Sequence, residues 1–246
     1  MDSDGWPKQG RDEALRVMRK AFAIHIAGDQ HLASTVKYGI DTWGDAPYAI
    51  CVPSISNYFP RRWFPEIQGK NRAPGQPKYL GDFTDGFGNK MSVLAVANPV
   101  ISGLQPSRLY DRSAGYGIIK FNKTTREIEM ANWPRQTDPA APDAKPYEGW
   151  PIRISQEDNY SLKAVAWLPT LAIEGTVLPP VVKITNEATG ELVYALRIKG
   201  TRFRPKVFAK GVYRIEVGEP GTDQWKVLGK ISSENESNTT SIKIEL

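Results

Sequence analysis

Leu15, Met18 and Phe22 recur at helical spacing, with polar residues filling most positions between them. That period predicts a short amphipathic helix over 10–21, one apolar face turned to a core. Asp12 and Glu13 fall in its first turn and Arg19 and Lys20 in its last, charges that suit the helix dipole. The pattern then changes to an apolar run over 22–27, broken by His25, which reads as a buried strand following directly on the helix. Further apolar runs predict strands over 48–52 and 91–97. Residues 116–121 and 127–132 predict a hairpin across 122–126, with alternation visible in Arg126-Glu127-Ile128-Glu129-Met130. Residues 56–88 carry many Pro, Gly, Asn and Arg and no period, and a loop of that length is functional or wraps a surface.

Beyond residue 152 the pattern is of short strands only. They are predicted over 163–167, 171–174, 181–185, 192–198, 211–217, 225–230 and 240–245, separated by turn signals such as Pro179-Pro180, Gly200 and Gly218 to Gly221. About seven short strands at this spacing point to an immunoglobulin-like β-sandwich, a likeness of architecture only. Pro139, Pro142 and Pro146, with Pro134 just upstream, mark the best linker candidate. The expected organisation is therefore a mixed α/β portion over 1–136, a Pro-rich linker over 137–149 and a β-sandwich over 150–246.

Composition narrows the classes. The 246 residues have ordinary globular proportions, enough for one large domain or two modest ones. No stretch approaches the roughly 18 apolar residues of a membrane helix, and the polar first residues show no signal peptide. The lone cysteine, Cys51, excludes an intrachain disulfide and sits in an apolar strand, the place of a structural thiol. The formal net charge is +5, but the basic residues are scattered apart from Arg61-Arg62 and a cluster over 202–206. With no basic helix and no recognised motif, no nucleic acid is expected as a structural partner.

The sharpest chemistry is Gly28-Asp29-Gln30-His31, at the end of the strand over 22–27. A strand fixes the backbone, Gly allows a sharp exit, and Asp29 and His31 can then converge on one metal ion. The plainer reading is a strand-exit turn with a capping Asp and a partly exposed His. His25 lies within the strand, as a satisfied core histidine or as an outer support to the metal ligands. Arg61-Arg62-Trp63 reads first as a surface loop with a packed Trp; the alternative is guanidinium forks for a phosphate with an indole wall beside them. A second acidic stretch, Gly81-Asp82-Phe83-Thr84-Asp85 followed by Gly88-Asn89, reads as a turn feeding the next strand, with a calcium loop as the alternative.

The stretch Phe22-Ala23-Ile24-His25-Ile26-Ala27-Gly28-Asp29-Gln30-His31-Leu32-Ala33 resembles the end of the catalytic domain of PhoD-type alkaline phosphatases, metallophosphoesterases of the calcineurin-like fold. Asp2-Ser3-Asp4-Gly5-Trp6-Pro7, Val52-Pro53-Ser54-Ile55-Ser56-Asn57 and Ala95-Val96-Ala97-Asn98-Pro99 also look like that family, so the resemblance spans roughly residues 1–135. It implies a metal-dependent phosphatase or phosphodiesterase, with an incomplete metallophosphoesterase-type α/β sandwich in front of the β-sandwich. Asp29 and His31 would be ligands to one of two metal ions (Fe, Ca, Mn or Zn), phosphate esters the substrates, and the periplasm or cell exterior the location. The family also needs Asp-x-His, Gly-Asp-x-x-Asp and Gly-Asn-His motifs ahead of the terminal one. This chain has two histidines, His25 and His31, so those loops are not present in full. The expectation is a missing N-terminal catalytic portion and no activity from this chain alone. The competing expectation is a non-catalytic binding or scaffold protein that uses the β-sandwich; Trp150, Trp167 and Trp225 could offer it an aromatic surface, with core packing the leading reading for them.

Overall fold

The computed structural model describes residues 7–100 and 108–246, leaving aside the side chains of Asp29, Gln30, Leu109 and Tyr110. The chain divides into two compact units. The first is Met1–Met18, Ala23–Asn122 and Glu127–Ser161; the second is Arg19–Phe22, Lys123–Arg126 and Leu162–Leu246. The fold is β-rich, and α1 (Lys8–Lys20) is its one α-helix among the described residues.

Helix α1 starts earlier than its apolar period suggests. Pro7 precedes it and accepts the first helical bond, from the Arg11 N–H. Asp12 and Glu13 therefore fall in the second turn, where they pair backwards with Lys8 and Gln9 at helical spacing. Leu15 buries against Ile40 and Ala46. The helix closes at Phe22, whose backbone is left-handed (φ 51°). The Phe22 N–H bonds to Arg19 O and the Ala23 N–H to Met18 O, which uses up residues 22–23 as a helix stop rather than a strand start.

Strand β1 accordingly covers His25–Gln30. It joins β2 (Ser34–Gly39), β3 (Tyr48–Pro53), β4 (Gly81–Thr84) and β5 (Lys90–Val96) in a five-stranded sheet of order β1-β3-β2-β5-β4. β1 lies parallel to β3, with His25 opposite Ala49 and Gln30 opposite Pro53; the other neighbours run antiparallel. β6 (Gly115–Phe121), β7 (Glu127–Pro134) and β8 (Ile152–Ser155) form an antiparallel sheet of three. Ile50 of the first sheet and Ile128, Met130 and Ile154 of the second bury together, so the two sheets share a core.

Residues 137–149 and Trp150 belong to the first unit, and the division falls after Ser161. The Trp150 indole is 7% exposed and packs with Ala33, Ala95, Ala97 and Ala131. Its Nε1–H donates to Thr35 Oγ1 at 2.9 Å. Tyr147 packs on the same cluster, and its hydroxyl donates to Ala114 O. A proline-rich stretch thus runs as turns tied to the sheets, because two aromatics within it are anchored.

The second unit holds β9 (Ala166–Trp167), β10 (Thr170–Glu174), β11 (Val181–Asn186), β12 (Leu192–Arg197), β13 (Arg202–Phe203), β14 (Lys206–Val207), β15 (Val212–Gly218), β16 (Trp225–Ser232) and β17 (Ser241–Glu245). They make an antiparallel sheet β12-β11-β15-β16, a sheet β13-β10-β17 and a short pair β14-β9. Alternate residues are buried, Val182 and Ile184 on β11 and Tyr213, Ile215 and Val217 on β15, the period of strands with one face in a core.

Candidate functional site

The loop that follows β1 is where the structure gathers most of the expected residues. The pairing of β1 with β3 is regular to Ala27 opposite Cys51 and resumes at Gln30 opposite Pro53, with an irregularity between. Gly28 and Asp29 fall in that break. A bulge there re-aims the residues that follow, and it carries the strand two residues past the exit that the sequence suggests. His31 then begins a bend. The Asp29 side chain lies outside the described residues.

His31 is half-buried and held from two sides by one loop. Its Nδ1 lies 2.5 Å from Phe59 O. A carbonyl only accepts, so Nδ1 donates to it, and in the neutral ring that leaves the lone pair on Nε2. The Arg61 N–H donates to His31 O at 3.1 Å. The segment carrying Arg61 and Arg62 is therefore fastened to the histidine by main-chain bonds on either side of Pro60.

That segment is itself pinned. The Trp63 N–H donates to Asn98 Oδ1 at 2.7 Å, Asn98 Nδ2 returns a bond to Trp63 O, and Trp63 Nε1–H donates to Tyr79 O. The indole also meets Phe83 edge-on, with ring centres 5.1 Å apart. Asn57 is fully buried and donates from Nδ2 to Arg112 O. Trp63 thus serves as an anchor for the arginines.

His25 stands elsewhere along β1. Its Nδ1 is 2.9 Å from the Tyr38 hydroxyl, and burial lowers its pKa below the usual 6.5. Burial pushes the Tyr38 phenol up to about 12, against the pull of Arg11, so Tyr38 keeps its proton to donate. Asp29 lies four residues beyond His25, about 13 Å along a strand. The partner His25 shows is Tyr38.

The acidic stretch over 81–89 forms a hairpin. Gly81–Thr84 is strand β4, paired with β5. Asp85 Oδ1 accepts from the Phe87 and Asn89 N–H groups and Oδ2 from Asn89 Nδ2, and Asp82 accepts from Ser92 Oγ and Asn71 Nδ2. Both carboxylates are engaged in building the turn. Burial raises the Cys51 thiol to about 11, which keeps it protonated near neutral pH. Among the described residues no three His, Cys, Asp or Glu side chains converge on one point.

The Phe59 carbonyl, Asn98 and the Tyr38 hydroxyl are contributors that pattern reading misses. A carbonyl has no sequence signature, and Asn98 gives only a faint one, an Asn-Pro at a strand end. Comparison of the chain with family models, with curated proteins and with solved structures finds no match.

Proposed function

We propose that this chain carries part of the metal site of a phosphoric-ester hydrolase of the PhoD-like kind. In that reading the first unit is the C-terminal portion of a metallophosphoesterase-type α/β sandwich and the second an immunoglobulin-like β-sandwich. The observation that carries it is the fixed tautomer of His31. Metal-bound imidazoles characteristically donate their other ring N–H to a carbonyl or carboxylate, which aims the lone pair and raises its basicity. His31 is held in that way by Phe59 O, at the end of a strand where the motif places Asp29 two residues away.

The donor set suits a borderline divalent or trivalent ion, with His31 Nε2 and the Asp29 carboxylate as the two donors from this chain. Two such ions, when bound, supply an activated water and charge neutralisation at the phosphoryl oxygens. Arg61 and Arg62 belong to the loop whose backbone is tied to His31, and in this reading their guanidinium groups would meet a phosphate oxygen. The remaining ligands come from polypeptide beyond these residues, since this chain has no third histidine.

Calorimetric titration with Mn2+ or Zn2+ tests the ligand. The expected result is weak binding that His31→Ala reduces roughly tenfold or more, with no appreciable hydrolysis of p-nitrophenyl phosphate by the chain alone. Expressed together with any upstream coding sequence that supplies Asp-x-His and Gly-Asn-His motifs, the chain should contribute to metal-dependent hydrolysis that His31→Ala abolishes. Unchanged metal affinity in the variant sinks the assignment.

One observation favours the binding-protein reading enough to keep it. The second unit has a polar cavity of about 220 Å3 lined by Lys210, Ser233, Glu234, Asn235 and Asn238. The expected tryptophan surface does not support it, since Trp150 is buried in the core of the first unit.

A further inference from the structure

The loop over residues 55–80 displays apolar side chains that the fold leaves uncovered. Tyr58 is 60%, Phe59 61% and Ile67 80% exposed, and Ile55 and Phe64 are about half exposed. Single exposed apolar residues are ordinary; five within thirteen residues, Tyr58 and Phe59 in contact and Arg112 against the Tyr58 ring, are a local concentration that asks for a partner.

The display is fixed by the backbone. Asn57 is buried and tied to Arg112 O and Ser54 Oγ. Trp63 is held by Asn98 and Tyr79. Gly69 lies so close to Leu80 O that an added Cβ would sit 2.0 Å from it, and its N–H bonds to Lys78 O. Tyr58 and Phe59, then Phe64 and Ile67, stand between these three anchors. The two aromatics at the tip brace each other edge-on, ring centres 4.8 Å apart.

Charge names the partner. Residues 55–80 contain five basic side chains, Arg61, Arg62, Lys70, Arg72 and Lys78, against the single acid Glu66. Aromatic and aliphatic tips interleaved with cations on a rigid loop are complementary to the headgroup boundary of an anionic bilayer. There rings settle at the interface and Lys and Arg meet lipid phosphates. Nucleic acid fits less well, because Ile55 and Ile67 have no ring to offer a base.

We infer that the loop over residues 55–80 is a docking surface for an anionic lipid bilayer. The surface adjoins the metal site and uses different groups of Phe59, whose carbonyl meets His31 while the residue is 61% exposed.

The test is co-sedimentation of the intact chain with vesicles of phosphatidylcholine alone and of phosphatidylcholine mixed with phosphatidylglycerol. Binding is expected to the mixed vesicles only and to weaken as salt rises. Phe59→Ser with Ile67→Ser should lower the partition coefficient about tenfold or more, and Lys70→Glu with Lys78→Glu by a similar factor. Phe59→Ser with Ile67→Ser should leave Mn2+ affinity unchanged, because the Phe59 carbonyl stays in place, which separates this surface from the metal reading. Ile67→Ser alone serves if the pair disturbs folding, because Ile67 is almost free of neighbours. Several results overturn the inference: no binding to either vesicle, equal binding by the variants, or retention by a single-stranded oligonucleotide instead. A dimer in solution that the serine variants dissolve, without vesicle binding, also does so.

Discussion

The two units solve the burial of backbone in different ways. In the second unit short strands follow one another with alternate residues inward, and the ladders satisfy most main-chain groups. The first unit carries long aperiodic loops and fastens them with buried polar side chains. Of the eleven buried polar or charged residues described, nine belong to the first unit. Arg11 reaches Gly39 O and Lys90 O, Asp45 gathers the N–H groups of residues 40–42, and Asn132 reaches Cys51 O. Such side chains are expensive to remove, because the groups they satisfy stay behind in the interior. The lesson is that the unit with the candidate chemistry is held by point fastenings, and the other by repetition.

Trp150→Ala is the strongest way to break that contrast. It empties the alanine-lined cluster and strands Thr35 Oγ1, at an expected cost of about 3–5 kcal/mol. Thermal unfolding followed by amide exchange should show protection lost in β2, β5 and β7 while β11 and β15 keep theirs. Equal loss in both units would show that they unfold as one.

Asp45→Ala asks whether a single fastening matters. The carboxylate accepts from Ile40, Asp41 and Thr42 at 2.6, 3.1 and 3.0 Å. Its loss should cost about 1–3 kcal/mol, read as a lower denaturation midpoint at unchanged slope. A cost within about 0.5 kcal/mol, the range of an ordinary surface change, would remove the fastening argument.

The smallest effect is a pH dependence confined to the first unit, which holds both histidines. The folded pKa of His25 lies below the unfolded 6.5, so the unfolded chain binds the proton first. Its contribution is fully present above pH 6.5 and is lost as pH falls from there toward the folded value. The melting temperature of wild type should drop more than that of His25→Gln between neutral pH and pH about 5.5. Parallel curves would show that burial of His25 carries no such linkage.

Much of this was legible in residue order, and the exceptions have physical causes. Strands β15 and β17 stand out because their apolar residues alternate, β11, β12 and β16 as short apolar runs between turn signals, and the hairpin β6–β7 because a turn separates two strand-like runs. Strand β2 was missed because Ser34-Thr35-Val36-Lys37 buries a threonine where the pattern looks for an aliphatic. Strand β8 escapes the pattern because it is four residues long and follows Pro151 directly. Strand β4 reads as a turn because Phe83 is its one apolar side chain among Gly81, Asp82, Asp85, Gly86 and Gly88. The start of β1 reads too early because a left-handed Phe22 is invisible to composition, and its end too early because the irregularity between Ala27 and Gln30 has no sequence mark. At the candidate site the side chains were legible and the support was not: a carbonyl that orients an imidazole belongs to the fold.

Strand β10 lies parallel to β17, and Thr170 O accepts from the hydroxyl of Ser241, 71 residues later. Its other neighbour, β13, matches only two of its residues. On a ribosome adding about 5–20 residues each second, β10 waits roughly 4–14 s for its main partner to be made. Through that interval an apolar strand with Leu171 and Ile173 has one edge open, the condition in which nascent chains mispair or recruit chaperones. Slow codons before residue 241 should therefore lower the soluble yield of this protein more than slow codons after it.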